Sequence, residues 1–186
     1  MNKAKLRNLL QARRRQIAFV ERQRASVSAA LLLLNTDIFR QSQQIACYYP
    51  LNDEFDCLPI IQEVWRAKKN CYLPVLSPDT QQLDFILYQE ETVLKPNRYN
   101  IPEPMNNDFI ATEKLDLVVL PLLGFDGQGN RLGMGAGYYD RTFQTLQKTP
   151  FLLGLGYEEQ SVSHIPHDPW DVRLNGVVTE KRIILF

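Results

Sequence analysis

The segment Pro121–Arg141 (PLLGFDGQGNRLGMGAGYYDR) holds six of the nine glycines of the chain, namely Gly124, Gly127, Gly129, Gly133, Gly135 and Gly137. The run before it, Leu115–Leu120 (LDLVVL), is apolar and β-branched, which predicts a buried strand. After it, Tyr139, Phe143 and Leu146 follow an i, i+4, i+7 spacing that predicts the buried face of a helix. A glycine-rich loop between a strand and a helix can direct several backbone N–H groups at one point. The segment therefore predicts a phosphate-binding loop.

Polar side chains in this segment favour a binding loop over the alternative, a flexible surface hairpin. They are Asn130, Arg131, Tyr138, Tyr139 and Asp140. Arg131 can neutralise phosphate charge, and Asp140 can hold Mg²⁺ together with one distant acid. Tyr139 opens the apolar helix stripe and is predicted to be core. Tyr138 points away from that stripe and is the better candidate for a substrate contact.

Composition and charge restrict the class of protein. The 186 residues are 45% hydrophobic and 23% charged, with 21 basic and 21 acidic side chains. We therefore expect one domain over residues 1–186, with no nucleic-acid or membrane partner. The longest apolar run, Ala29–Leu34, is too short to cross a bilayer, and no signal-peptide stretch is recognisable. Cys47, Cys57 and Cys71 are odd in number and lack C-x-x-C spacing, which predicts reduced thiols and a cytoplasmic protein.

Strand and helix patterns alternate along the chain. Residues 3–40 predict two helices, the second beginning near Glu21, and Leu58–Ala67 predicts another. Predicted strands are Gln44–Tyr49, Cys71–Leu76, Leu83–Tyr88, Leu115–Leu120, Phe151–Tyr157 and two short segments within Val177–Phe186. Leu94–Asp108, with three prolines and four asparagines, is predicted to be irregular. This order predicts a three-layer α/β/α fold with an open, largely parallel sheet, preceded by two N-terminal helices. In such sheets ligands bind beyond the carboxyl ends of the strands.

The N-terminal region is strongly basic and has two interpretations. Residues 2–24 contain eight Lys or Arg against a single acid, Glu21. The first interpretation, which the residues alone favour, is the solvated face of an amphipathic helix. The second is that Lys3 and Arg7, one helical turn apart, reach over a bound polyphosphate.

The two common phosphate loops do not match the glycine-rich segment. A Walker loop requires a Gly-Lys pair, which is absent from the sequence. A dinucleotide fingerprint requires G-x-G-x-x-G in a tight turn, whereas Leu120 and Tyr138 are too far apart for such a turn. Hydride transfer on a dinucleotide is therefore disfavoured.

The string GFDGQGNRLGMGAGYYDR resembles the signature of the 5-formyltetrahydrofolate cyclo-ligase family. The resemblance extends over nearly the full chain and includes Lys3–Arg7 (KAKLR), Tyr49–Glu54 and Tyr99–Pro104 (YNIPEP). Members often have G-Y-G-G-G-Y-Y-D where this chain has GMGAGYYD. Met134 thus replaces an aromatic residue, and Ala136 replaces a glycine.

The resemblance implies an ATP- and Mg²⁺-dependent conversion of 5-formyltetrahydrofolate into 5,10-methenyltetrahydrofolate, with release of ADP and phosphate. It implies phosphorylation of the formyl oxygen, intramolecular attack by N10 and a monomeric enzyme with two small-molecule substrates. The implied ATP contacts are Lys3, Ala4, Lys5, Leu6, Arg7, Arg131, Leu132, Gly133, Met134, Gly135, Ala136, Gly137, Tyr138 and Tyr139. The implied folate contacts are Tyr49, Glu54, Tyr99, Met134, Gly135, Ala136, Gly137 and Tyr138. The implied metal ligands are Asp140 and Asp171, and the catalytic residues are Arg131 and Tyr138.

Two other functions are compatible with the residues. A non-catalytic nucleotide- or nucleic-acid-binding module would use the basic N-terminal helix, and its affinity for polyanions would fall steeply with salt. An enzyme acting on sugar phosphates or on coenzyme A could share the same layered fold, because fold alone does not determine function.

Overall fold

The computed structural model describes residues 2–51 and 53–186. The helices are α1 (Lys3–Gln16), α2 (Phe19–Leu34), α3 (Asp37–Gln41), α4 (Leu58–Arg66) and α5 (Tyr138–Phe143). The first strands are β1 (Gln44–Ala46), β2 (Asn70–Leu76), β3 (Leu83–Leu87), β4 (Leu94–Pro96), β5 (Pro102–Pro104) and β6 (Phe109–Ile110). The later strands are β7 (Leu117–Pro121), β8 (Gly124–Phe125), β9 (Arg131–Leu132), β10 (Phe151–Leu155), β11 (Gly176–Val178) and β12 (Ile183–Leu185).

A single eight-stranded sheet forms the centre of the molecule, in the order β12-β11-β10-β7-β1-β2-β3-β6. Its five middle strands, from β11 to β2, run parallel to one another. The strands at its two ends, β12 on one side and β3 and β6 on the other, pair antiparallel. The predicted α/β fold with a largely parallel sheet is confirmed.

Both faces of this sheet are covered, which explains the continuous apolar runs in its strands. On one face, Ile45, Cys47 and Val119 pack against α2 and α4. On the other face, Ala46 and Val118 pack against α5 and the segments around it. Side chains alternate between the faces of a strand, so neighbouring residues such as Val118 and Val119 belong to different cores.

The N-terminal region forms three helices over residues 3–41, where two were predicted. It bends at Ile17 and Ala18, so α2 begins at Phe19 rather than near Glu21, and it breaks again at Asn35 and Thr36. The Thr36 hydroxyl accepts a hydrogen bond from Phe39 N (3.1 Å) and so caps a new helix. Neither glycine nor proline marks these breaks, so the short third helix, α3, was not predicted. That two N-terminal helices precede the sheet is confirmed.

Two further predictions need correction. The helix after the glycine-rich segment ends at Phe143, although Leu146 still packs against the same core. Residues 94–108 are not irregular throughout, because β4 and β5 pair antiparallel. The Asn97 side chain closes their turn by accepting hydrogen bonds from Tyr99 N (2.8 Å) and Ile101 N (3.1 Å). The prolines of this ribbon stand outside the main sheet, where a missing N–H donor is tolerated.

The cysteines are free and lie in the core. Burial raises the pKa of the Cys57 thiol, which keeps it in the unreactive neutral form. In the described ranges, no helix has the length and apolar character that a bilayer span requires.

Candidate active site

A cavity of about 990 Å³ opens beyond the carboxyl ends of β1, β2 and β7. Residues that follow these strands line it, namely Tyr48 and Tyr49 after β1, Leu76 at the end of β2, and Pro121 with Leu122 at the end of β7. This is the position that parallel sheets offer to ligands. The volume lies at the upper end of the range for small-molecule sites, so it suits a large ligand or two adjacent ones.

The first half of the glycine-rich segment is a hairpin, β8–β9, held by one buried carboxylate. Asp126 accepts hydrogen bonds from the N–H groups of Gln128, Asn130 and Ile165 (2.9, 3.1 and 2.9 Å) and from Asn130 Nδ2 (2.9 Å). Asp126 and Asn130 are both almost fully buried. Asn130 therefore has a structural role, although the sequence pattern grouped it with the ligand-binding side chains.

Replacing Asp126 by asparagine should lower the free energy of unfolding at pH 7 by about 2 kcal/mol, because a charged acceptor of several hydrogen bonds is lost. Burial opposes ionisation of Asp126, but the hydrogen bonds from Asn130, Ile165 and Gln128 outweigh it and lower its pKa. Its stabilising effect is therefore full above the unfolded-state pKa of about 3.9 and disappears as the pH falls through the lower folded-state pKa.

Urea titrations from pH 7 to pH 3 check this, with the exposed Asp108→Asn variant as the matched control. The difference between wild type and Asp126→Asn should be constant near pH 7 and should begin to narrow as the pH falls below about 4. A difference that is absent at pH 7, or that stays constant with pH, would contradict the structural role of this carboxylate.

The second half of the segment lies on the cavity wall and depends on two glycines. Gly135 and Gly137 have φ of +108° and +71°, which side chains rarely adopt. Ala136 is not among the positive-φ residues, so its methyl group causes no backbone strain there. The Arg7 guanidinium lies against Gly135, and its Nε donates to the carbonyl oxygen of Gly133 (2.9 Å). Helix α1 thus packs directly on the loop.

The basic N-terminus contributes two of its five implied ATP contacts to the cavity, Lys3 and Arg7. Ala4 and Lys5 are exposed and do not line it, and Leu6 is buried in a small core cluster with Leu132. For Lys3 and Arg7, the cavity position favours the phosphate interpretation over a purely solvated helix face. Lys3 Nζ lies 2.6 Å from Asp168 Oδ2 and 2.5 Å from Asp171 Oδ2.

Arg131 is held in place by two partners, although its side chain also lines the cavity. The side chain is 7% exposed; its Nη1 donates to the carbonyl oxygen of Val172 (2.6 Å), and its Nη2 forms a salt bridge with Asp140 Oδ1 (2.9 Å). The same Asp140 oxygen accepts from Val172 N (3.0 Å). Arg131, Asp140 and Val172 therefore contact one another pairwise. These contacts join the glycine-rich segment, α5 and the segment containing Asp171.

The two predicted metal ligands have a donor set that fits Mg²⁺. Both Asp140 and Asp171 line the cavity. In each, the hydrogen bonds within the described residues use one carboxylate oxygen, Oδ1 of Asp140 and Oδ2 of Asp171, which leaves the other oxygen for a cation. No group of three or more His, Cys, Asp or Glu residues gathers around a point in the described chain. Magnesium needs no such group when phosphates supply its other ligands.

An aromatic wall stands at the mouth of the cavity. The Tyr138 hydroxyl lies 3.2 Å from that of Tyr99 and accepts a hydrogen bond from Arg98 Nη2 (2.7 Å). The hydrogen bonds with Tyr99 and Arg98 lower the pKa of Tyr138. Met134 is 58% exposed and lines the same space. Tyr139 stacks on Phe143 as the helix pattern predicts and also lines the cavity.

The predicted folate contacts, Tyr49 and Glu54, line the same cavity on the segment after β1. Glu54 Oε2 accepts a hydrogen bond from Leu51 N (3.1 Å), and burial raises the pKa of Glu54. Two residues that line the cavity here were not among the predicted site residues. They are Arg14, which is buried, and its partner Asp53. Arg14 continues the i, i+4, i+8 stripe of Leu6 and Leu10, and that position was the available signal.

The fold and the cavity together define an α/β protein with a spacious site for small molecules. A glycine-rich loop, basic side chains and carboxylates line this site. Residues 1–180 match the 5-formyltetrahydrofolate cyclo-ligase family. The chain belongs to the 5-formyltetrahydrofolate cyclo-ligase family. It is 39% identical to the 5-formyltetrahydrofolate cyclo-ligase of Haemophilus influenzae, over 87% of this chain and 88% of that protein. It is 34% identical to the Escherichia coli K12 protein of that name, over 94% and 98%.

A solved structure supports the same assignment. The 5,10-methenyltetrahydrofolate synthetase of Aquifex aeolicus superposes with a TM-score of 0.87 at 29% identity, covering 100% of this chain and 93% of that one. The fold and the family therefore agree.

Proposed function

We propose that this chain is an enzyme that converts 5-formyltetrahydrofolate and ATP into 5,10-methenyltetrahydrofolate, ADP and phosphate, with Mg²⁺ as cofactor. The observation that carries the proposal is one cavity lined by two chemically different groups of residues. One group is the glycine-rich loop with Lys3, Arg7 and Arg131, and the other, on the segment after β1, is Tyr49 and Glu54. Family membership and the activity named for the relatives agree with it.

The chemistry requires activation of a poor electrophile. An amide-like N5-formyl group resists attack, and its oxygen is a poor leaving group. In the proposed reaction the formyl oxygen attacks the γ-phosphorus and ADP leaves. N10 then attacks the formyl carbon and loses its proton, and phosphate departs with the formyl oxygen. Because N10 belongs to the same substrate, ring closure has a large proximity advantage and needs no protein nucleophile.

The chain's residues would supply positioning and charge. Lys3, Arg7 and Arg131 lie where they can neutralise a triphosphate, and the N–H groups around Gly135 and Gly137 can bind its oxygens. Magnesium held by Asp140 and Asp171 would neutralise phosphate charge during the transfer.

On the segment after β1, the Glu54 carboxylate can accept hydrogen bonds from the pterin 2-amino group and N3–H. Tyr138 and Tyr99 stand at the mouth between the two ligands, where Tyr138 can orient the formyl group.

A direct assay tests the proposal. Protein, MgATP and 5-formyltetrahydrofolate are mixed, and the near-ultraviolet absorbance of the methenyl product is followed. We expect absorbance to rise only when all components are present, with one ADP released per product. No product, or ATP hydrolysis that is independent of folate, would contradict the proposal.

We further propose that residues 1–186 act as one catalytic domain, as a monomer in the cytoplasm without nucleic acid. Balanced charge and free cysteines support this. The alternative of a nucleic-acid-binding module is disfavoured, because Lys3, Arg7 and Arg14 of the basic helix are engaged at the cavity. Size-exclusion chromatography and salt-dependent DNA titration test these points.

A further inference from the structure

Arg14 is a buried charge that the proposed reaction does not use. It lies in the last turn of α1, and its side chain is 3% exposed. Its Nε donates to Asp53 Oδ2 at 3.0 Å, and the Asp53 side chain is 14% exposed. Burying a guanidinium is unfavourable unless it is paired, and a buried ion pair often adds little to stability compared with apolar residues of similar size. Stability alone therefore does not explain why Arg14 and Asp53 are paired, and we consider a role in ligand binding.

The contacts of Arg14 connect two segments that line the cavity. The side chain reaches from α1, which carries Lys3 and Arg7, to Asp53 on the segment after β1. The Arg14 carbonyl oxygen accepts a hydrogen bond from Arg22 Nη2 (3.1 Å), which fixes the end of α1. The guanidinium itself has a second contact, since its Nη1 donates to the Leu122 carbonyl oxygen (3.5 Å).

Glu54, the proposed pterin contact, directly follows the residue that Arg14 holds. Burial raises the pKa of Glu54, whereas the hydrogen bond from Leu51 and the charge of Arg14 lower it. The other titratable groups near Glu54 are Asp53, Tyr48 and Tyr139. Arg14 is the cation in this set, so it helps to keep the Glu54 carboxylate charged.

We propose that Arg14 is a positioning residue for folate, which anchors Asp53 and thereby presents the Glu54 carboxylate to the pterin ring. This inference rests on the proposed function. According to this inference, the Arg14–Asp53 pair affects the affinity for folate, whereas Lys3 and Arg7 at the other end of α1 bind phosphate. If the pair had only a structural role, its loss would weaken the binding of folate and of ATP equally, because α1 would shift as a whole.

The test compares Arg14→Met with Arg13→Met, a matched change at the neighbouring exposed arginine. Arg14→Met should raise KM for 5-formyltetrahydrofolate about tenfold and leave KM for ATP within about twofold of wild type. Arg13→Met should change neither constant. The ratio of folate KM between Arg14→Met and wild type should also grow as the pH falls from 8 toward 5. Without Arg14, Glu54 becomes protonated at a higher pH.

Two further variants keep the test decisive if Arg14→Met does not fold. Asp53→Asn removes the pair from the other side and should raise folate KM in the same way, and Arg14→Lys should recover part of the affinity. Equal increases of both KM values, or a pH-independent ratio, would overturn the positioning role. Failure of the wild type to form the methenyl product would instead refute the proposed function, and this inference would fall with it.

Discussion

Replacement of Arg131 by alanine should lower kcat on the order of 10³-fold while the sheet stays folded. The side chain is 7% exposed. Its Nη1 donates to the Val172 carbonyl oxygen and its Nη2 forms a salt bridge with Asp140, so the guanidinium is preorganised at the cavity. Its loss would remove a positive charge beside the proposed triphosphate. It would also free the Asp140 carboxylate that is proposed to bind magnesium.

Steady-state turnover measured by product absorbance checks this, and circular dichroism reports the fold. Arg131→Lys keeps the charge but cannot bridge two acceptors as a planar guanidinium does, so it should recover only a small part of kcat. Arg173→Ala, a nearby exposed arginine, is the matched control and should retain wild-type turnover. A kcat near wild type for Arg131→Ala would remove this residue from catalysis.

The second large effect is expected for Asp140→Asn, which should raise the Mg²⁺ concentration for half-maximal activity about 100-fold. Loss of a supporting outer partner of a metal ligand already costs about 10- to 100-fold, and a direct carboxylate ligand should cost at least as much. Asp171→Asn should act in the same direction.

Calorimetric titration of Mg²⁺ into the protein with bound ADP provides a readout that is independent of activity. Asp79→Asn, in the exposed turn before β3, is the matched control and should titrate like wild type. An unchanged magnesium affinity in Asp140→Asn would show that the carboxylate serves only to hold Arg131 and Val172.

The fold was accessible from local patterns in the sequence. The apolar run at Leu115–Leu120 and the glycine spacing after it predicted the strand, the loop and the start of α5, and the layered sheet followed from the alternation of elements. The break at Thr36 was missed, because the Thr36 side chain caps the start of α3 there and neither glycine nor proline marks the position. The β4–β5 ribbon was missed because its turn depends on the Asn97 side chain rather than on an apolar pattern.

Most of the predicted site residues line the cavity, and the contacts that the sequence did not indicate are long-range pairs. Lys3 and Asp168 are 165 residues apart in sequence, and Arg14 and Asp53 are 39 apart, so no local spacing predicts either pair. Asn130 was grouped with ligand-binding residues because its neighbours carry that chemistry, whereas its partner is the buried Asp126. The sequence indicated which residue types were present, and tertiary packing decided which of them face the cavity.

In the proposed reaction, the formyl oxygen of the folate leaves as part of the phosphate. The test places a heavy oxygen isotope in the formyl group and determines by mass spectrometry where it goes after turnover with MgATP. We expect one labelled oxygen in the inorganic phosphate for each methenyl product formed. Unlabelled phosphate, with the isotope released in water or formate, would contradict it.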